Sequence, residues 1–362
     1  LGLMWMLFDK NTRFGDLKKK IDKIESKKAA LSLLIFFTSF LSFAQDHEHE
    51  TVNEQKALEL INKYKVSQDH ADRFGKMVIQ DQGGRMKPIN TFSSELLRKV
   101  SKSDTYEGMD SDQVFLSMTQ FPQYWYNMPI IYLTRGNDSI RKVIGVPADT
   151  KKARLIDFFD EKGNYKLASF LDEAYKTNMP NNFQKDYKET DKRVNLLYSA
   201  LSGQILKVYP IPNDPNNKWL SFLEITEPTG TSLDTIRSLM PIYLDAITKA
   251  SQNNDYNFAD SLLVGLHKYQ VRFGAEVMPS EDKINAEIIY NKYDVFKRLF
   301  YLYMLAGVLM LLLAIVQLFS KSKLVAKSVN IFYGILIFFF VLHTLGLIAR
   351  WYISGHAPWS DA

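Results

Sequence analysis

The chain contains no cysteine among its 362 residues. That excludes disulfides, CXXC-type haem attachment and zinc–thiolate sites, so any folded part stands on its own apolar core. Histidine is scarce, six in all. No HExxH pair and no Ser-His-Asp arrangement occurs, and Gly83-Gly84-Arg85-Met86-Lys87 lacks the spacing of a phosphate loop. A hydrolase reading therefore has no motif behind it. Two long runs carry no charge. Residues 299–319 and 329–349 each run 21 residues without Asp, Glu, Lys or Arg. Each is long enough to cross a bilayer core of roughly 30 Å at about 1.5 Å per residue. The mean hydropathy of −0.18 averages these runs away.

Charge placement gives an expected topology. Residues 9–28 carry eight Lys/Arg against four Asp/Glu, and 320–328 carry Lys321, Lys323 and Lys327 with no acid. Short basic loops stay in the cytoplasm. The expected order is then the end of an upstream transmembrane helix (1–8), a basic cytoplasmic loop (9–28), a short transmembrane or signal-like segment (29–44) and a periplasmic domain (46–298). A transmembrane helix (299–319), a cytoplasmic loop (320–328), a second transmembrane helix (329–352) and the start of a periplasmic loop (353–362) follow. For 29–44 both readings stand: Ser42-Phe43-Ala44 fits a cleavage site, while an uncleaved span brings the chain back out. Bases and acids nearly balance in 46–298, so the net charge of +5 reports topology and not nucleic-acid binding. The expected class is mainly α: a polytopic membrane protein with a helix-rich α+β extracytoplasmic domain containing a small β-hairpin.

Within the outer domain, His47 and His49 alternate with acids in a leader that reads as solvated chain or a loose metal binder. Residues 76–90 read as two short strands around Gln82-Gly83-Gly84, where paired glycines permit positive φ. Arg85 and Lys87 alternate and should share a face, either as ordinary hairpin surface or as a site for a carboxylate or a partner. A helix is expected from about Phe92, capped by Asn90 or Thr91, with Phe92, Leu96, Leu97 and Val100 on one face. Met128 to Leu133 and Ile140 to Val146 read as strands around Arg135-Gly136-Asn137-Asp138. Val194, Leu197, Leu201, Ile205 and Val208 make a buried stripe, and 231–251 and 255–273 read as helical. The aromatic run 121–126 reads as core. His70 and His267 read as surface histidines. Ser280 caps a helix with acids in its first turn. With no breaker before Leu299, that helix is expected to continue unbroken into the membrane.

The last span carries the candidate chemistry. His343, Gly346, Leu347 and Arg350 fall on one helical face. His343 precedes Ala349 by six residues, roughly 9 Å inside the outer boundary. Arg350 and Trp351 sit at that boundary, and His356 and Trp359 lie just beyond. An imidazole, flat aromatic walls and an arginine suit haem. They equally suit interfacial belt residues, a snorkelling anchor and an interhelical hydrogen bond.

The stretch HTLGLIARWYISGHAPWSDA resembles the System II cytochrome c biogenesis family, which shows an RW-x-x-SGH-x-P-x-S segment after an early span. Residues LGLMWMLFDK resemble the end of the last ResB-like helix, and QDQGGRMKPINTFSSELLRKVS resembles the outer domain between the two halves of the fused ResB-like/CcsA-like, Bacteroidota-type proteins. The resemblance covers nearly the whole chain. It implies an internal fragment of a multi-pass protein of the bacterial inner membrane, with its large domain in the periplasm. The whole protein is then a haem exporter and cytochrome c synthase of the haem lyase type, and the fragment alone is not expected to be active. It implies haem as cofactor. The partners implied are apocytochrome c, the remaining ResB-like and CcsA-like segments and the lipid bilayer, with no nucleic acid. His343, Arg350, Trp351, His356 and Trp359 are the residues here that would approach haem. Neither histidine matches a ligand position of the family, whose tryptophan-rich segment and flanking histidines are absent from these residues. The rival reading is a membrane-tethered periplasmic sensing or interaction module without haem chemistry.

Overall fold

A computed structural model describes residues 54–225, 236–320 and 322–355. The expected segments 1–8, 9–28 and 29–44, the His47/His49 leader, His356 and Trp359 lie outside the described residues. The chain divides into two units. In the first, residues 1–52 with Phe159–Tyr165, only the loop is described. Phe159 and Tyr165 pair across it, and the Asp160 carboxylate accepts from the Lys162 and Asn164 amides at 2.9 and 2.7 Å.

The second unit is mostly helical with three two-stranded sheets among the described residues. It opens with α1 (Glu54–Lys63) and α2 (Gln68–Gly75), the latter capped by Ser67. Strands β1 (Val78–Gln80) and β2 (Met86–Pro88) pair antiparallel with Ile79 opposite Lys87, as the paired glycines imply. The Asp81 carboxylate closes the turn by accepting from the Gly83 and Arg85 amides at 2.9 and 3.0 Å, and Gly84 takes the left-handed conformation. Helix α3 (Ile89–Ser101) follows at once. It starts one turn before Phe92 with no side-chain cap, because Pro88 fixes its entry. Phe92, Leu96, Leu97 and Val100 are buried together as expected.

Helix α4 (Ser111–Gln120) opens on a reciprocal capping box between Asp110 and Gln113, and α5 (Pro122–Trp125) is one turn. Trp125 is fully buried and donates to the Ser117 hydroxyl at 3.0 Å. Strand β3 (Ile131–Tyr132) pairs with β4 (Lys152–Ala153), not with 140–146. The expected strand there is instead α6 (Asp138–Ile144). Asn137 caps its start, left-handed Gly145 ends it, and the buried Arg141 guanidinium gathers the carbonyls of Thr134, Asn137 and Thr150 at 2.9–3.0 Å. These bonds satisfy the backbone around a helix and override the β-branched residues' preference for a strand.

Helices α7 (Ala168–Lys176) and α8 (Asn182–Leu201) pack on each other, Phe170 stacking on Tyr187, and α8 opens on a second capping box, Asn181 with Gln184. Val194, Leu197 and Leu201 are buried on α8; Ile205 and Val208 are buried too, but past its end, where Gly203 turns the chain. Strands β5 (Tyr209–Pro210) and β6 (Trp219–Leu220) pair next. Helix α9 (Leu239–Asn253) overlaps the expected segment 231–251 and runs two residues past it, and α10 (Asn257–Phe273) falls within 255–273. Buried Trp219 packs with Val78 and Ile284. The Gln270 amide ties that core together, donating to the carbonyls of Val78 and Val208 at 2.8 and 2.9 Å.

Ser280 caps α11 (Glu281–Tyr293). The expected unbroken helix is interrupted once. Asp294 is left-handed, at φ 42, closing α11 and opening α12 (Val295–Phe319). Asp tolerates this conformation better than most residues, so the joint needs no glycine or proline. Helix α13 (Lys323–Ser354) runs back antiparallel to α12, with Tyr303 beside Phe339 and Phe296 beside His343. The two are about 37 and 48 Å long, and both are long and apolar enough to cross a membrane.

Candidate functional site at the junction of the helical domain and the apolar helix pair

Helix α11 lies between the β1–β2 hairpin and the end of α13. On the hairpin side, Arg85 donates to Glu287 at 2.8 Å. Glu287 is only 6% exposed. Burial raises its pKa, and the nearby Arg85 charge opposes that rise. One turn on, Asn291 donates to the Thr91 hydroxyl at 2.7 Å. Lys87 is buried and bridges Asp81 at 2.8 Å and Glu95 at 3.2 Å. Burial alone would raise Asp81, but the Lys87 hydrogen bond and charge hold it below the usual carboxylate range. Arg85 and Lys87 thus both hold carboxylates, and the carboxylates are the chain's own. Arg85 reaches α11 and Lys87 reaches α3.

On the other side, the His343 ring lies 5.0 Å from Phe296 and 6.5 Å from Tyr303. Gly346 lets α13 approach the start of α12: a Cβ there would meet Phe296 and Val295 at 3.4 and 3.5 Å. These pairs stagger the two helices. Gly346 stands level with Val295–Phe296, so His343 stands near Leu299, where the charge-free run of α12 begins. Along its own helix, six residues of the charge-free run still separate His343 from Arg350. The last two turns of α13 continue past the start of α12 and along α11. There the Arg350 charge partly offsets the rise that burial imposes on the Tyr290 hydroxyl, and Lys283 sits 5.9 Å from the Tyr352 ring centroid. Arg350 is exposed, and Trp351 is 58% exposed.

A second polar cluster lies in the helical domain, and there the expectation of a surface histidine fails. His70 is 1% exposed. Its Nδ1 is 2.7 Å from Asp260 and its Nε2 2.8 Å from the Tyr243 hydroxyl, with the Tyr256 ring stacked at 4.8 Å. Burial lowers its pKa, against the opposing pull of Asp260. The neutral ring then donates from Nδ1 to the carboxylate and accepts the tyrosine hydroxyl at Nε2. Asp260 also pairs with Arg73. With His70 and Tyr243 buried, this Asp–His–Tyr chain ties α2 to α9 and α10. The clue in the sequence was position: His70, Ala71 and Phe74 share the buried face of α2. His267 is different, only partly buried and 3.6 Å from Glu281.

The chain is similar to Protein NrfI of Wolinella succinogenes. The two are 33% identical over 369 aligned residues, which cover all of this chain and 39% of NrfI. No family model matches the chain.

The chemistry available at the junction is an imidazole on an aromatic wall with a solvent-facing guanidinium two turns further out. His343 makes ring contacts and no hydrogen bond among the described residues. Those donor types suit a flat anionic ligand, but Phe296 fills the seam beside His343 and Gly346. The described residues therefore do not by themselves form a haem pocket.

Proposed function

We propose that this chain is the central part of a membrane machine that exports haem and attaches it to the CXXCH motifs of apocytochrome c. On this reading residues 9–28 and 320–328 face the cytoplasm, 46–298 form a periplasmic domain, and α12 and α13 cross the inner membrane. The whole protein is a cytochrome c synthase whose haem ligands lie in other ResB-like and CcsA-like segments. His343, Arg350, Trp351, His356 and Trp359 flank the entrance to that site, and the periplasmic domain positions the partner or the haem site.

The observation that carries the reading is where the family-like segment emerges. Arg350-Trp351 and Ser354-Gly355 end α13 at the level where it packs along α11, and α11 is clamped to the domain through Glu287 and Asn291. A domain fastened at that point can aim what is bound beyond it. The test is deletion of residues 50–290 from the full-length protein, with holocytochrome c read by haem-dependent peroxidase staining of membranes. A second variant keeps the domain but inserts a six-residue Gly/Ser linker after Asp294. Both should lower holocytochrome c at equal protein level. Normal yield from both would overturn the proposal.

A further inference from the structure

Two hollows of about 380 and 480 Å³ share Gln82 and Ser199 among their walls. Together they make one groove. It runs from Leu223, past the tip of the β1–β2 hairpin and along α8, to Tyr175 on α7.

Its floor is built from side chains that both donate and accept. Asn195 and Ser199 are four residues apart on one face of α8, and Gln82 and Gln204 flank them. None of these four side chains hydrogen-bonds within the chain among the described residues. The rise from Asn195 to Ser199 is about 6 Å, close to the roughly 6.6 Å that two residues of an extended strand span. An extended backbone laid along α8 would therefore bring equivalent peptide groups to both positions.

The charges in the groove are unevenly spent. Glu189 is paired with Lys192 at 2.7 Å, Asp191 accepts from the Tyr175 hydroxyl at 3.2 Å, and Glu224 accepts from the Ser221 amide at 2.8 Å. Lys99, Lys102 and Lys207 form no salt bridge among the described residues. The cations left over favour a negatively charged partner. The acids on the same walls disfavour a polyphosphate backbone, which would meet them at every turn. Half-exposed Leu223 and Tyr175, at 46% and 55%, offer an apolar contact at each end.

We propose that this groove is a docking site for an extended polypeptide segment bearing acidic side chains. The proposal goes beyond the haem reading and does not depend on it, since its readout is binding alone. The probe is a fluorescein-labelled twelve-residue peptide alternating Glu with Val and Asn, titrated by anisotropy into the full chain in nanodiscs. The same peptide with Lys for Glu and a twelve-nucleotide oligothymidine serve as comparisons. The acidic peptide should bind and the other two should not. The charge reversal K99E/K102E/K207E should weaken binding at least tenfold, and so should Ser199→Trp, which fills the groove without changing its charge. If Ser199→Trp fails to fold, Asn195→Trp at an exposed position takes its place. Unaltered binding by the groove-filling variant, equal binding of either comparison probe, or no binding at millimolar peptide would each overturn the proposal.

Discussion

The helical domain and the α12–α13 pair use the same apolar residue types in opposite ways. In the domain, Trp125 and Trp219 are fully enclosed and the chain's polar groups are brought to them: Ser117 accepts from the Trp125 ring, and the Gln80 side chain accepts from the Trp219 amide at 2.7 Å. In the helix pair, Leu299 and Ala306 on α12 and Gly346 on α13 are the described residues that are buried, while Leu318 and Phe319 are 81% and 87% exposed. The domain is organised to exclude water. The pair presents its apolar surface outward, as helices do whose solvent is lipid or other apolar helices. The charge-free runs already set the pair apart in sequence; the structure adds that its large apolar side chains have few partners. Truncating a large side chain should therefore cost much in the domain and little on the outward faces of the pair.

The sharpest way to break that comparison is Trp219→Ala. Trp219 joins β6, β1 and α11, and it lies so close to Gly274 that a Cβ there would come within 2.6 Å of its ring. Removal should cost the domain about 3–5 kcal/mol. Urea-dependent hydrogen exchange of the full chain, read at β6 and α10, should show the loss, with exchange in α12 and α13 unchanged. A loss below about 1 kcal/mol would mean that the domain core does not hinge on this residue.

How much of this was legible in the sequence depended on whether the deciding signal was local. The β1–β2 hairpin was, because Gly83-Gly84 marks the turn, and so was the buried stripe of α8. Residues 140–146 carried two conflicting signals. Asn137 and Gly145 mark helix ends, whereas Ile140, Val143, Ile144 and Val146 favour strands; the carbonyls gathered by Arg141 decided between them, and no local rule contains those bonds. The left-handed joint at Asp294 has no sequence mark, since neither Gly nor Pro is present. At the candidate site, the shared face of His343 and Arg350 was readable from spacing. The stagger that sets His343 level with the start of the charge-free run of α12 was not, because it depends on which residue of α12 meets Gly346. The ion pairs of Arg85 and Lys87 were foreshadowed only as an affinity for carboxylates, since Glu287 lies 202 positions away from Arg85.

A second contrast between the regions is their response to pH. Asp112 is buried in the domain, accepting from the Asn90 amide at 2.6 Å and from the Ser93 hydroxyl. Burial, opposed by those bonds, pushes its pKa up to about 7. A carboxyl raised in the folded state is protonated there before it is in the unfolded chain. Its contribution to stability is therefore fully present below about pH 4 and is lost as pH rises toward 7. Buried His70 acts in the opposite sense: its lowered pKa means that the unfolded chain takes up the proton first, so its contribution falls as pH drops below about 6.5. Asp112→Asn removes only the first effect. Between pH 4 and 7 the difference in domain stability between variant and parent should change with a slope of at most about 1.4 kcal/mol per pH unit. The slope for unfolding of the helix pair should not change. Parallel stability curves for parent and variant would show that Asp112 does not titrate in this range.

The smallest expected effect tests the other half of the comparison. If the helix pair is held by close approach and not by water exclusion, then what matters at Gly346 is the space beside it. A Cβ there would meet Phe296 at 3.4 Å and Val295 at 3.5 Å, which is ordinary van der Waals contact. Gly346→Ala should therefore be accepted with a change within about 0.5 kcal/mol, whereas Gly346→Leu must push α13 away from α12. Because the chain has no cysteine, the pair V295C and G346C can report the register without background. An oxidative cross-link should form between these two positions, and not when the second cysteine is placed four residues along, as in V295C with R350C. A cross-link favouring the latter pair would move His343 about 6 Å deeper along α12. It would also undo the staggered register that separates the start of the charge-free run of α12 from the end of α13.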